Sequence, residues 1–268
     1  MKLSVSNIAW SADHDDEIYE FLSENNYNGL EIAPTRVIPD TPYDEMSEAV
    51  RFSNELRERY DLEVSSMQSI WFGMTESIFG SETERGLLIE YTKKAIDFAN
   101  AIGCGNLVFG CPKNRDIPQG MSLSDSLPIA HEFFRMIGDY AVQSGTYIAI
   151  EANPPIYNTN FINTTAEAFD LCKELNNPGV KVNIDLGTII YNKESIKPVY
   201  DNITQINHVH ISEPYLAPIE KRQLHIELLS ELKRLDYDKY ISIEMGNRND
   251  IDKVKNTILY VKELCDDL

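Results

Sequence analysis

The chain has 268 residues, 24 of them basic and 43 acidic, for a formal charge of −19, and 43% of it is hydrophobic. That composition supplies a sizeable core, repels nucleic-acid phosphates and anionic membranes, and admits an anionic small molecule only at a local basic cluster. No run of about 18 apolar residues occurs, and Met1-Lys2-Leu3-Ser4 leads into a strand pattern without a signal-peptide core. Cys104, Cys111, Cys172 and Cys265 form no C-x-x-C pair, so reduced thiols in a cytoplasmic protein are expected, with no membrane and no nucleic-acid partner.

In chain order, strand-like runs alternate with amphipathic helical stretches. Leu3 to Ala9 is followed by a helix over about Asp15 to Asn25, and Gly29 to Ala33 by one around Tyr43 to Tyr60. After Leu62 to Gln68, a helix beginning near Glu82 carries Leu87, Leu88, Tyr91, Ala95 and Phe98 at helical spacing. Asn106 to Cys111 precedes a helix over Ser124 to Ser144. The fifth strand lies in Y-I-A-I-E-A-N-P-P, where Ile148 and Ile150 alternate with Ala149 and Glu151 until Pro154-Pro155 ends the ladder. Its helix opens at Thr164 with the capping-box pattern Thr164-Thr165-Ala166-Glu167. Val180 to Leu186 leads to a weaker helical stretch, Lys193 to Asp201; Ile206 to Ile211 leads to a helix over Ile219 to Leu235; Tyr240 to Met245 leads to one over Ile251 to Leu264. Eight such units, without a linker or a G-x-G-x-x-G after the first strand, predict one domain spanning 1–268, a (β/α)8 TIM barrel in the α/β class.

Four consecutive strands end on a polar residue preceded by an aliphatic one of opposite phase: Glu151, Asp185, His210 and Glu244. Barrel strands present such residues to one catalytic rim. Singly, each would be an ion-pair partner, a loop cap or a hydrogen-bonded core residue, which is the reading kept for His208, one pleat deeper. Together, three carboxylates and an imidazole suit a divalent cation that prefers oxygen: Mn²⁺ first, with Mg²⁺, Co²⁺ or Zn²⁺ possible. Without a cation, one of the carboxylates would have to hold a proton.

The motifs E-A-N-P-P, N-I-D-L-G, H-V-H-I-S-E-P and S-I-E-M-G, together with G-L-E-I at Gly29 to Ile32, resemble the xylose isomerase-like TIM barrels along the whole chain. Within these, the chain looks most like the sugar phosphate isomerase/epimerase family, which includes the ketose 3-epimerases. The resemblance implies that Glu151, Asp185, His210 and Glu244 bind one metal ion. It also implies that Glu151 and Glu244 act as an acid/base pair on a carbohydrate through an enediolate. Two positions depart from the ketose epimerases. Thr188 stands where they carry a histidine three residues after the metal-binding aspartate, and Ser212-Glu213-Pro214-Tyr215-Leu216-Ala217 lacks the arginine that follows their histidine.

Candidate substrate contacts are Trp10, Gln68, Trp71, Lys113, Arg115, Asn153 and Glu213. Lys113 and Arg115 form a basic pair able to grip a phosphate or carboxylate. Glu31 is expected to pair with Arg36 or Lys113, and Asn249 or Asp250 to cap the last helix. The resulting expectation is a metal-dependent sugar or sugar phosphate isomerase or epimerase, with assembly as a homo-oligomer left open. The competing functions are a non-catalytic sugar- or partner-binding barrel and a metal-dependent lyase or dehydratase. A DNA-repair endonuclease fits poorly with five histidines and a charge of −19.

Overall fold

The computed structural model describes residues 1–268. Its strands are β1 (Lys2–Ser6), β2 (Gly29–Ile32), β3 (Glu63–Met67), β4 (Leu107–Phe109), β5 (Ile148–Glu151), β6 (Val180–Asp185), β7 (Ile206–Ser212) and β8 (Tyr240–Glu244). They pair in parallel in sequence order and β8 closes on β1, so the single-domain chain is a TIM barrel with no free sheet edge. The helices are α1 (Asp15–Glu24), α2 (Pro34–Val37), α3 (Met46–Tyr60), α4 (Glu82–Ala101), α5 (Leu123–Gln143), α6 (Thr165–Leu175), α7 (Leu186–Asn192), α8 (Lys197–Asp201), α9 (Gln223–Arg234) and α10 (Ile251–Asp266). None is long and apolar enough to cross a membrane.

Strand alternation explains both layers of the barrel. Leu3 and Val5, Leu30 and Ile32, Ile148 and Ile150, Val182 and Ile184, Val209 and Ile211, and Ile241 and Ile243 share one phase, and all belong to the continuous buried core. The opposite phase is polar and equally buried: Ser4, Ser6, Glu31, Asn183, His208, His210 and Ser242. Many of these inner groups are hydrogen-bonded within the barrel, although Glu31 Oε1, Asn183 Oδ1 and His208 Nδ1 have no partner. The Ser4 and Ser65 hydroxyls lie 2.6 Å apart, Gln68 Nε2 donates to Ser6 Oγ at 2.8 Å, and Asn106 Nδ2 donates to Ser66 Oγ at 2.9 Å. Register shifts interrupt the pairing at Leu30/Glu31 and at Val182/Asn183. Each falls at a residue of the inner polar set, where an irregular ladder re-aims a side chain.

Local chemistry sets most helix starts. The capping box predicted at Thr164 and Glu167 is formed, and Ser81 and Glu84 build a second one on α4. Asp250 caps α10, its Oδ1 accepting from Lys253 N at 2.9 Å. The sequence pattern and the structure differ most after β6. Leu186, expected in the strand, begins α7, because Asp185 turns its carboxylate onto the amides of Gly187 and Thr188 and caps a helix there. The stretch expected to be helical from Lys193 is helical only over Lys197–Asp201. The helix expected from Ile219 begins at Gln223, and Pro42–Asp44 is a separate 3-10 turn before α3.

Where β6 begins, a Cβ on Gly179 would lie 1.9 Å from the backbone oxygen of Gly138 in α5. A backbone atom cannot give way as a side-chain tip can, so Gly179→Ala should destabilise the protein by about 1–3 kcal/mol. Thermal unfolding should then start roughly 2–12 °C lower, at about 2–4 °C per kcal/mol for a chain of this size.

Candidate active and metal site

At the carboxyl ends of the strands a cavity of about 180 Å³ is lined by four carboxylates, Glu151, Asp185, Glu213 and Glu244, together with Gln68, Asn153 and Tyr157. No lysine, arginine or histidine side chain lines it. Such a volume has room for several waters, so it suits a small molecule.

His210 is the hub beneath that cavity and is wholly buried. Its Nδ1 faces Glu151 Oε1 at 3.0 Å and Glu244 Oε2 at 3.3 Å, while its Nε2 faces Glu31 Oε2 at 2.9 Å. Glu151, His210 and Glu244 each offer a ligand atom, all within 4.8 Å of one another, so they could hold a metal ion. Glu31, anchored on the far nitrogen, fixes the ring in the way carboxylates commonly orient metal-binding histidines. With its proton held on Nε2 for Glu31, the ring would offer the Nδ1 lone pair to a cation shared with the two glutamates. Asp185 lines the same cavity but stands apart from this triplet. Its Oδ2 accepts from Thr188 N at 2.9 Å and Thr188 Oγ1 at 2.8 Å, and its Oδ1 accepts from Gly187 N at 3.2 Å and from Ser212 Oγ.

The two glutamates are chemically unequal. Glu151 Oε1 accepts from Asn183 Nδ2 at 2.7 Å and its Oε2 from Asn153 Nδ2 at 2.9 Å. Burial alone would raise its carboxyl, but the hydrogen bond and charge of His210, with Asn153 and the Arg115 charge, hold it below the ordinary value. Glu244 has no such donors. Burial lifts it to about 7 against the pull of His210, helped by the nearby charges of Glu151 and Glu31. Burial also raises Asp185, reinforced by Glu151. For His210 burial works downward, yet Glu31, Glu244 and Glu151 outweigh it and hold the metal-free ring protonated. A side chain on Gly110 would crowd this arrangement, because its Cβ would sit 2.9 Å from Glu151 Oε2.

The other expected contacts divide sharply. Gln68, Asn153 and Glu213 line the cavity. Glu213 is buried and held bidentately by Arg222, with both contacts at 2.6 Å. Trp10 is buried and donates to Asp15 Oδ1 at 2.8 Å. Trp71 is buried against Phe109 and Phe133 and donates to Thr92 Oγ1 at 2.9 Å. Neither indole lines the cavity. Lys113 is exposed, whereas Arg115 is fully buried behind Asn153, so the basic pair is split between solvent and interior. The ion pair expected for Glu31 is overturned. Arg36 binds Asp15 at 2.7 Å, and Glu31 instead meets His210 and, at 3.1 Å, His208. His208 is hydrogen-bonded core, as expected, 2.9 Å from Ser242 Oγ. Asn183, Tyr157 and Leu216 were not foreseen. Asn183 was accessible to a pattern argument, since it lies two residues before Asp185 on the same strand phase.

The family model for the xylose isomerase-like TIM barrel matches residues 19–264. The chain belongs to that family. Curated proteins give no significant sequence match. Among solved structures, the chain is similar to the 3-keto-D-glucoside 4-epimerase YcjR from E. coli, with a TM-score of 0.81 at 18% identity over 98% of this chain and 99% of that one. It is similar to a D-tagatose 3-epimerase-like protein, with a TM-score of 0.78 at 22% identity over 100% and 99% of the two chains. An IolI protein with a bound zinc atom aligns with a TM-score of 0.71 at 15% identity over 100% and 96%. At these identities the structural likeness concerns the fold.

Because Glu244 is lifted to about 7 while its unfolded value is 4.5, the metal-free protein should hold one buried, protonated carboxyl at pH 6. Its infrared C=O stretch should fade as pH rises through about 7 and be missing in Glu244→Gln. A stretch that persists in Glu244→Gln would assign the proton to another carboxyl.

Proposed function

We propose that the protein is a metal-dependent isomerase or epimerase that moves a proton on and off a carbon next to the carbonyl of an uncharged sugar. One observation carries this reading: Glu151 and Glu244 converge on His210 Nδ1 from β5 and β8, beneath a cavity that offers no cationic side chain. Glu151, His210 and Glu244 would hold the cation, with Asp185 as the fourth ligand implied by the family resemblance. This oxygen-rich donor set favours Mn²⁺, with Mg²⁺, Co²⁺ or Zn²⁺ also compatible. The zinc-bound IolI neighbour and the two epimerase-type neighbours support the reading. When bound, the cation would supply Lewis-acid polarisation of a carbonyl and its adjoining hydroxyl.

The chain's own residues account for the proton steps. Glu151, held ionised by donors on both oxygens, is the group suited to remove a proton. Glu244, which meets the same His210 nitrogen from β8, is suited to return one from the other side. Delivery to the same carbon inverts it; delivery to the neighbouring carbon exchanges aldose for ketose. The position occupied by a histidine in ketose epimerases is filled here by Thr188, which is buried and spent on Ala152 O and Asp185, each at 2.8 Å. Its hydroxyl is engaged within the protein and serves the scaffold.

Two experiments test this. Glu151→Gln and Glu244→Gln should each lower turnover by about 10²–10⁴-fold and suppress deuterium incorporation from D₂O, with metal content measured alongside. Near wild-type turnover in both metal-loaded variants would remove the acid/base assignment. Separately, a panel of ketoses and their phosphate esters, assayed with added Mn²⁺, should show turnover confined to the unphosphorylated sugars. A preference for the esters would mean that a cationic side chain reaches the substrate after all.

A further inference from the structure

Arg115 is the one fully buried guanidinium in the molecule, and it has no carboxylate partner. It ends the 3-10 turn Pro112–Arg115 after β4, a turn tied down where Asn114 Nδ2 donates to Met74 O at 3.1 Å and Glu76 O at 2.8 Å. Its Nη2 donates to Asn153 Oδ1 at 2.8 Å, with Ile162 O at 3.5 Å, while Nε and Nη1 find no protein partner. Burial lowers it to about 10, so it stays charged at neutral pH. Burying a charge with so few partners costs stability, and a helix or loop gains nothing from it that an apolar residue would not supply.

The chemistry of its one good contact suggests its use. A guanidinium carries five donors and no acceptor, so the end of Asn153 that faces it must be the oxygen. The other end, Nδ2, is then turned onto Glu151 Oε2 at 2.9 Å. A flipped Asn153 would set its NH₂ against the guanidinium and its oxygen against the carboxylate, and both contacts would be repulsive. Asn153 is further held by its backbone, its N donating to Ile162 O at 3.0 Å and its O accepting from Asn163 Nδ2 at 2.8 Å. The bare Gly110 leaves room for the Glu151 oxygen on the remaining side.

We propose that Arg115 is a positioning residue: by locking the amide of Asn153 it holds the Glu151 carboxylate in the one orientation that faces His210 and the cavity. This rests on the metal and acid/base roles proposed above for Glu151. It replaces the surface anion grip that the sequence suggested for Arg115, since a buried guanidinium bound to Asn153 is not free to bind substrate.

The test compares Arg115→Met, which removes the lock, with Arg115→Lys, which keeps a charged group that can only donate. Mn²⁺ affinity is read by calorimetry, apo thermal midpoint by scanning calorimetry, and the Glu151 and Asn153 side chains by crystallography of the apo proteins. In Arg115→Met, Mn²⁺ binding should weaken ten- to a hundredfold, the range typical of groups that orient metal ligands. Its apo midpoint should be no lower than that of the wild type, and Glu151 should leave its position facing His210. Arg115→Lys should stay within about threefold of wild type on the same affinity scale. A purely structural arginine would do the reverse, lowering the midpoint while leaving affinity and Glu151 unmoved, and that result overturns the proposal. If Arg115→Met does not fold, Arg115→Gln serves instead. Gln offers both a donor and an acceptor and so does not select the amide orientation; unchanged affinity and an unmoved Glu151 there also overturn it. A wild type that binds no Mn²⁺ would sink the metal reading itself, and the displacement of Glu151 in the apo crystals would still decide the role of Arg115.

Discussion

The site depends on a carboxylate that never reaches the cavity. Glu31, from β2, is wholly buried and shares its Oε2 between the Nε2 atoms of His208 and His210 at 3.1 and 2.9 Å. Burial alone would favour a neutral Glu31, but the two imidazoles reverse that and hold it ionised, well below the ordinary carboxylate range. In return, the carboxylate pins the ring of His210 from beneath and leaves Nδ1 as the nitrogen that meets Glu151 and Glu244. A low-dielectric interior strengthens such a contact and makes an unpaired alternative costly. The barrel interior makes room for it by using serine where bulky branched residues usually fill such folds: Ser4, Ser6, Ser66 and Ser242 are all buried there.

From that anchor the asymmetry of the two glutamates follows. They approach the same nitrogen, but only Glu151 sits among side-chain amides, those of Asn153 and Asn183, which can do nothing for a protonated oxygen that they do not do better for an ionised one. Glu244 lies in the same buried setting without them, so desolvation decides its proton. Two identical side chains thus come to differ in their hold on a proton through their neighbours alone. Arg115 extends the same logic by one more residue, because a group that can only donate dictates which way an amide points.

The remaining rim looks built for shape. Glu213 and Arg222 clip the loop that follows β7, and Tyr157 OH accepts from Tyr215 N at 2.8 Å, tying the β5 and β7 loops together. Tyr215 and Leu216 hold positive φ of 63° and 51°, and Ile162, unusually for a β-branched residue, holds 59°. Strain of this kind persists only where the surroundings enforce it, and here it lies beside the cavity in loops that begin at strand carboxyl ends. The cavity they border is walled by Glu151, Asp185, Glu213 and Glu244, and no cationic side chain lines it.

The sequence by itself determined the eight-strand order, the single domain and the inward phase of Glu151, His210 and Glu244. Those features follow from a two-residue period, from turn residues and from helix caps, all of which are local. It also marked Thr164 and Glu167 as a cap and His208 as core. It could not assign partners. Glu31 reads as an ion-pair partner of Arg36 or Lys113, yet its side chain points into the barrel and meets His210, 179 residues away along the chain. Asp185 reads as a strand end like the others, but the same carboxylate can cap a helix, and only the packed geometry of Gly187, Thr188 and Ser212 shows that it does. Arg115 carried the opposite error: a charge in a loop sequence suggests solvent, while its burial behind Asn153 depends on where the β4 and β5 loops meet. Periodicity tells which face a residue takes; which groups then meet across the barrel is set by closure of the sheet, because only closure brings strands distant in sequence within hydrogen-bonding range.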